Sequence, residues 1–152
     1  MRSIRHGVGV AWVVVPPLVL VHDRIGWIYG TRGKSMAPVL NPQDTWYDRY
    51  VSDVVLVLRE SSGMCELARG DVVMAVEPQT GCRIVKRLYA EDGQWVPRDG
   101  RYVQVSRGHI WLQGDCEEHS VDSRTFGPVP RGLVQGKVVM RLFPWWRPTW
   151  IE

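Results

Sequence analysis

A chain of 152 residues with 45% hydrophobic and 23% charged side chains has the size and balance of one domain around one core. Its net charge of +3 is mild and its basic residues are scattered, which excludes a nucleic-acid-binding stripe. Three cysteines (Cys65, Cys82 and Cys116) form no C-x-x-C pair and no disulfide framework, and Cys116 with His119 makes only half of a metal site, so no metal or cofactor is expected.

Residues 8–21 are almost wholly apolar, preceded by Arg2, Arg5 and His6 and followed by His22, Asp23 and Arg24. A cleaved signal peptide needs small residues at its cleavage site, and Val-His-Asp-Arg offers none. The run is shorter than the roughly 20 residues that cross a bilayer, so a buried core helix competes with a membrane anchor. The anchor requires the span to extend toward Tyr29. Trp27 and Tyr29 then sit in the interfacial aromatic belt, and the leading arginines hold the N-terminus on the untranslocated side. Pro16-Pro17 is awkward in a helix but tolerable where neighbours satisfy the freed carbonyls. We assign residues 1–29 to a membrane anchor and 30–152 to a catalytic domain.

Beyond Gly30 the pattern changes to short apolar runs punctuated by turn residues. Ten prolines and fifteen glycines favour β-structure over long helices. Strands are expected over residues 54–58, 71–76, 83–89, 102–105 and 110–113, with Ser106-Arg107-Gly108-His109 as a hairpin connection between the last two. A final strand covers 134–142 and breaks near Gly136, while 61–66 and 113–126 read as loops. The expected fold is a small, mainly β, partly closed barrel-like domain behind an N-terminal anchor helix. The tail Phe143-Pro-Trp-Trp-Arg-Pro-Thr-Trp packs on its own domain, meets the membrane interface or meets a partner.

Two residues carry candidate chemistry. Ser35 follows Gly33-Lys34 and precedes Met36-Ala37-Pro38, which puts it on an exposed turn; a plain turn serine reads the same way. Gly-Lys-Ser also resembles the end of a phosphate-binding loop, but Ile28 stands where that loop needs glycine. Strand alternation puts Ile84, Lys86 and Leu88 on one face and Arg83, Val85, Arg87 and Tyr89 on the other. A lysine in apolar surroundings loses hydration of its charged form, its pKa falls, and the neutral amine can take a proton from a serine. An edge lysine that snorkels to solvent is the competing reading. The polar stretch Gly114-Asp115-Cys116-Glu117-Glu118-His119-Ser120-Val121-Asp122-Ser123-Arg124 reads alone as a solvated loop with hydroxyls and ion pairs to offer a lysine. His119, beside Ser120 and near Asp122, is too close to them in sequence to form a triad.

In this order, these segments resemble the type I signal peptidase family. Ser35-Met36-x-Pro38 resembles its nucleophile motif and Arg69-Gly70-Asp71-Val72-Val73 its second strand. Val85-Lys86-Arg87 resembles its general-base strand. Gly114-Asp115 with Ser120-x-Asp122-Ser123-Arg124-x-Phe126-Gly127-Pro128-Val129 resembles its last motif. The likeness covers nearly everything after Gly30. Within the family it leans to the peptidases of the mitochondrial inner membrane, and more to their second subunit than their first, through Arg107-Gly108-His109-Ile110-Trp111 and the Pro-Trp-Trp ending.

The resemblance implies that Ser35 is the nucleophile and its backbone N–H an oxyanion donor. It makes Lys86 the general base, oriented by Ser120, and Asp122 with Arg124 and Asp115 with Arg87 structural ion pairs. Gly33 stands where many bacterial relatives place a second oxyanion hydroxyl. Small residues before the cut imply shallow apolar pockets, with Met36, Ile84 and Leu88 as wall candidates. The implied partners are precursor proteins with cleavable sorting peptides, the bilayer and a second homologous subunit, with the catalytic domain facing the intermembrane space. The alternatives are a signal peptidase of a bacterial or plastid membrane and a non-catalytic partner subunit. A self-cleaving repressor-type protease would need a DNA-binding segment where the apolar N-terminus stands.

Overall fold

The computed structural model describes residues 24–42, 52–60, 66–146 and 148–151. One antiparallel sheet organises them. Its order is β1 (Gly26–Gly30), β2 (Val54–Arg59), β9 (Val134–Phe143), β3 (Val72–Val76), β4 (Arg83–Ala90), β7 (His109–Gln113) and β8 (Val129–Pro130). A short β10 (Thr149–Trp150) adds to the outer half of β9, and β5 (Trp95–Arg98) with β6 (Arg101–Gln104) forms a separate ribbon.

The strands follow from β-branched and aliphatic runs whose alternation matches the pleat. In β2, Val55 and Val57 are buried and their neighbours half-buried. The run Val-Val-Met-Ala of β3 is buried throughout, because this strand has core on both sides. Val72 and Met74 join Val55, Val57 and Val138 on one face, while Val73 and Ala75 join Leu88, Ile110 and Leu112 on the other. Each such aliphatic side chain contributes about 1.5–3 kcal/mol when fully buried.

Register shifts between Val54 and Val55, Leu56 and Val57, Met74 and Ala75, and Leu88 and Ala90 bend the sheet. The sheet curls enough that β1, at one end of the strand order, and β4 line one cleft. Both present free backbone there. Among the described residues, β1 pairs only with β2, and β4 pairs with β7 only from Arg87 onward.

Three sequence expectations are corrected. Residues 26–30 form β1 in the sheet, so the apolar segment does not continue as a helix toward Tyr29. Residues 8–21 themselves lie outside the described residues, among which no helix is long and apolar enough to cross a membrane. Residues 102–105 do not pair with 110–113. Instead β6 pairs with β5 through Asp99-Gly100, whose φ values of 50° and 74° are those a two-residue hairpin turn demands. The strand over 134–142 is continuous across Gly136, although the ladder to β2 ends there opposite Arg59 and the register against β3 slips between Gly136 and Val134. In the tail, Ile151 inserts into the core beside Val138 while Trp145 and Trp150 remain exposed.

Gly136 is needed for space. A Cβ there would lie 2.2 Å from the Leu58 carbonyl oxygen, whereas one at Gly132 would meet nothing within 4 Å. Gly136→Ala is expected to destabilise the domain by about 1–3 kcal/mol, with Gly132→Ala near neutral, as read by thermal unfolding of the two variants.

Candidate active site

The loop after β1 carries Ser35 and is held by a buried polar knot. The side chains of Asn41 and Asp53 exchange bonds with each other's backbone. The Asn41 N–H donates to Asp53 Oδ2 at 2.7 Å, and the Asp53 N–H donates to Asn41 Oδ1 at 2.8 Å. The Asn41 amide also donates to Thr31 Oγ1 and to the Gly33 carbonyl, both at 3.2 Å. The Thr31 hydroxyl donates to the Asp53 carbonyl at 3.0 Å, and Arg141 lies 3.5 Å from the Asp53 carboxylate. Met36 and Leu40, 3% and 1% exposed, pin the loop to the core from below. Breaking one member of such a knot leaves a buried group unsatisfied, at about 1–3 kcal/mol. Ser35 is half-buried at the mouth, and among the described residues its N–H and hydroxyl bond to no other group.

Across the cleft, Lys86 is 4% exposed and shares its inward face with Ile84 and Leu88. Burial holds its amine below the ordinary lysine value of 10.5, and the Asp122 carboxylate only partly restores it. Lys86 Nζ donates to Ser120 Oγ at 2.9 Å, and the Ser120 hydroxyl donates to Asp122 Oδ2 at 2.6 Å. With its single proton committed to Asp122, Ser120 meets the amine only as an acceptor.

Asp122 is fully buried and holds this chain of bonds in one direction. Its carboxylate also accepts from the N–H of Gly114 at 2.9 Å, the N–H of Arg124 at 3.1 Å, and the Arg124 guanidinium at 3.0 and 2.7 Å. Burial alone would raise its pKa, but the bonds from Arg124, Gly114 and Ser120 overrule it and hold the carboxyl at about 2. Arg124 sits in the short helix α1 (Ser123–Phe126), which Asp122 caps. Ser123 Oγ accepts from the Leu112 N–H at 2.9 Å and ties that helix to β7. Arg87, on the opposite face of β4, forks onto both Asp115 oxygens at 2.8 and 2.9 Å and donates to the Gly70 carbonyl at 2.6 Å.

Gly114 is the point where the two halves meet. A Cβ there would sit 2.2 Å from Ser120 Oγ and 2.5 Å from the Ser35 carbonyl oxygen. That carbonyl accepts from the Cys116 N–H at 3.1 Å, so the loop after β7 holds both Ser35 and the group that holds Lys86. The cleft itself, about 450 Å³, is lined by β1 and its following loop, including Ser35 and Met36, and by Arg83, Ile84, Val85 and Lys86.

Most of the site residues read from the sequence converge here: Ser35, Lys86, Ser120, Asp122 and Arg124, with Arg87–Asp115 as a brace behind. Met36 and Ile84 line the cleft. Leu88, expected on the same wall, lies 1% exposed in the core beyond it, where the strand is paired with β7. Cys116 Sγ and His119 Nδ1 lie 3.4 Å apart, and no third ligand joins them in a metal-binding group among the described residues. Thr31, Asn41, Asp53 and the spatial role of Gly114 escaped sequence reasoning. A glycine directly after an apolar strand was the one visible hint.

Gly114→Ala is expected to lower turnover by about 100-fold, the scale on which displacing a reacting group by an ångström acts. Parallel measurements of kcat and thermal unfolding test this, with kcat falling further than loss of folded protein accounts for.

A model of the family described as signal peptidase, peptidase S26, matches residues 94–145. The mitochondrial inner membrane protease subunit 2 of Danio rerio is 38% identical over 137 residues, covering 88% of this chain and 73% of the relative. That of Mus musculus is 39% identical, covering 88% and 76%, and that of Saccharomyces cerevisiae 33% identical, covering 90% and 78%. Subunit 1 of Schizosaccharomyces pombe is 31% identical, covering 87% and 82%. On this similarity across most of both chains, the protein belongs to the signal peptidase S26 family, among the mitochondrial inner membrane proteases.

Proposed function

We propose that this chain is a membrane-bound serine endopeptidase that removes sorting peptides from precursors delivered to the mitochondrial intermembrane space, with Ser35 as nucleophile and Lys86 as general base. The observation that carries this reading is the buried Lys86 amine, depressed by desolvation and held through Ser120 by Asp122, in the cleft that Ser35 also lines.

The chemistry follows from that arrangement. Neutral Lys86 has two N–H bonds and one lone pair. One N–H is fixed on Ser120, which limits where the lone pair can point. Lys86 takes the Ser35 proton, and the serine oxygen attacks the scissile carbonyl. The Ser35 N–H, without an intramolecular partner among the described residues, donates to the oxyanion. Such a donor contributes about 3 kcal/mol. Lysine then protonates the leaving amine, and water, deprotonated by the same amine, hydrolyses the acyl-enzyme.

The free edges of β1 and β4 suit an extended substrate that adds main-chain hydrogen bonds to both. Met36 and Ile84 form shallow apolar walls for small side chains before the cut. The names of the relatives support the inner membrane as its location and a second, homologous subunit as its partner. An anchor ahead of β1 remains part of this proposal, while residues 26–29, assigned to it from the sequence, belong to the sheet instead.

In the full chain reconstituted with a precursor, Ser35→Ala and Lys86→Ala are each expected to abolish cleavage with unfolding unchanged or, for Lys86, stabilised. Full activity in either variant would sink the dyad. The pH profile follows from the sign of the shift. The amine is active without its proton and its folded pKa lies below 10.5, so kcat/KM falls as pH drops through that folded value. A rate flat into the acid range would reject Lys86 as base.

A further inference from the structure

The C-terminal tail reaches the loop that bears Ser35. β10 lies along β9, with Thr149 opposite Arg141 and Trp150 opposite Met140. The Ile151 N–H continues the ladder, donating to the Val139 carbonyl at 3.0 Å. Alternation turns Thr149 and Ile151 to one side and Trp150 to the other. Trp150 is exposed, whereas Ile151 is buried in the same apolar cluster as Met36 and Leu40, the two residues that pin the Ser35 loop.

Arg141 joins the tail to that loop. Its side chain is largely buried. Nη1 donates to the Val39 carbonyl at 3.2 Å and lies 3.5 Å from Asp53 Oδ2, and Nη2 donates to the Thr149 hydroxyl at 3.1 Å. A guanidinium is planar and holds its donors at fixed angles. With β9 and Thr149 setting that plane, the place of the Val39 carbonyl is set as well.

Val39 is tied to Ser35 by short turns. The Ala37 N–H donates to the Lys34 carbonyl at 3.0 Å, and the Leu40 N–H donates to the Met36 carbonyl at 2.8 Å. Residues 34–40 therefore move together, and a shift at Val39 is carried to Ser35. Close packing does not hold the loop at this place. A cavity of about 370 Å³ is lined by Pro38, Val39, Arg141, Thr149, Trp150 and Ile151, which leaves the loop room to settle if the guanidinium lets go. Neither Arg141 nor Thr149 lines the cleft that holds Ser35 and Lys86.

We infer that β10 is a clamp on the nucleophile loop, with Arg141 and Thr149 as positioning residues that set Ser35 without touching the substrate. This rests on the peptidase reading above. The test measures cleavage of a precursor-derived peptide by the full chain in lipid vesicles, with kcat expressed per folded molecule. Arg141→Gln is expected to lower kcat about ten-fold or more while KM stays within about two-fold of wild type, because the cleft keeps its own residues. Thr149→Val is expected to lower kcat about three-fold, the scale of one hydrogen bond, and Thr149→Ser, which keeps the hydroxyl, to match wild type. The pH at which kcat/KM falls is expected to stay unchanged in all three, because Lys86 is set from the Asp122 side. Gly136→Ala, which loosens β9 further along the strand, is expected to keep kcat per folded molecule.

A kcat unchanged in either Arg141→Gln or Thr149→Val overturns the clamp. So does an effect carried by KM, a shifted pH midpoint, or a Thr149→Ser variant no better than Thr149→Val. An equal loss in Gly136→Ala would reduce the effect to general stability and overturn the clamp too. If Arg141→Gln does not fold, the two Thr149 variants decide alone. Cleavage that survives in Ser35→Ala counts against the peptidase reading itself, whereas its loss there beside an unaltered kcat in the clamp variants counts against the clamp alone.

Discussion

A lysine amine kept out of water is the constraint on which the rest of this structure depends. Lys86 sits on a strand whose inward face is otherwise aliphatic, and burial penalises its charged form. The fold does not neutralise the penalty with a direct carboxylate partner, which would hold the proton on. It interposes Ser120, and the buried Asp122 acts through that hydroxyl. Asp122 in turn is satisfied by the Gly114 and Arg124 backbone and by the Arg124 guanidinium, so its charge is spent locally. The amine is thereby positioned while burial still lowers its pKa.

The same economy explains why two polar assemblies flank one cleft. The Asn41–Asp53 knot and the apolar anchors Met36 and Leu40 set the loop that bears Ser35. The Asp122 assembly sets the far wall. They are tied by the loop after β7, where the Cys116 N–H holds the Ser35 carbonyl and Gly114 leaves room for Ser120. Curling the sheet by bulges also brings two strand edges, each without a further strand partner among the described residues, to line one cleft.

The strand-by-strand reading succeeded where the period of two is strong and failed where pairing partners must be chosen. Residues 83–89 alternate clearly, and the observed faces are those the alternation implies. For 102–105 two neighbours competed, and Asp99-Gly100 supplies the sharper turn, so β6 folds back on β5. Leu88 shares a face with Lys86 yet lies in the core, since alternation sets the side of a strand but not where along it the cleft ends.

The sequence by itself determined the candidate groups: a serine on a glycine–proline turn, a lysine among aliphatics, and a polar segment that carries a hydroxyl, a carboxylate and an arginine. These are legible because residue type and strand period are local properties. Only the tertiary structure decided that Asn41 meets Asp53 and that Gly114 separates Ser120 from Ser35. Those facts depend on which strands lie side by side and how far the sheet curls. Such distances arise between residues far apart in the chain, and no local pattern carries them.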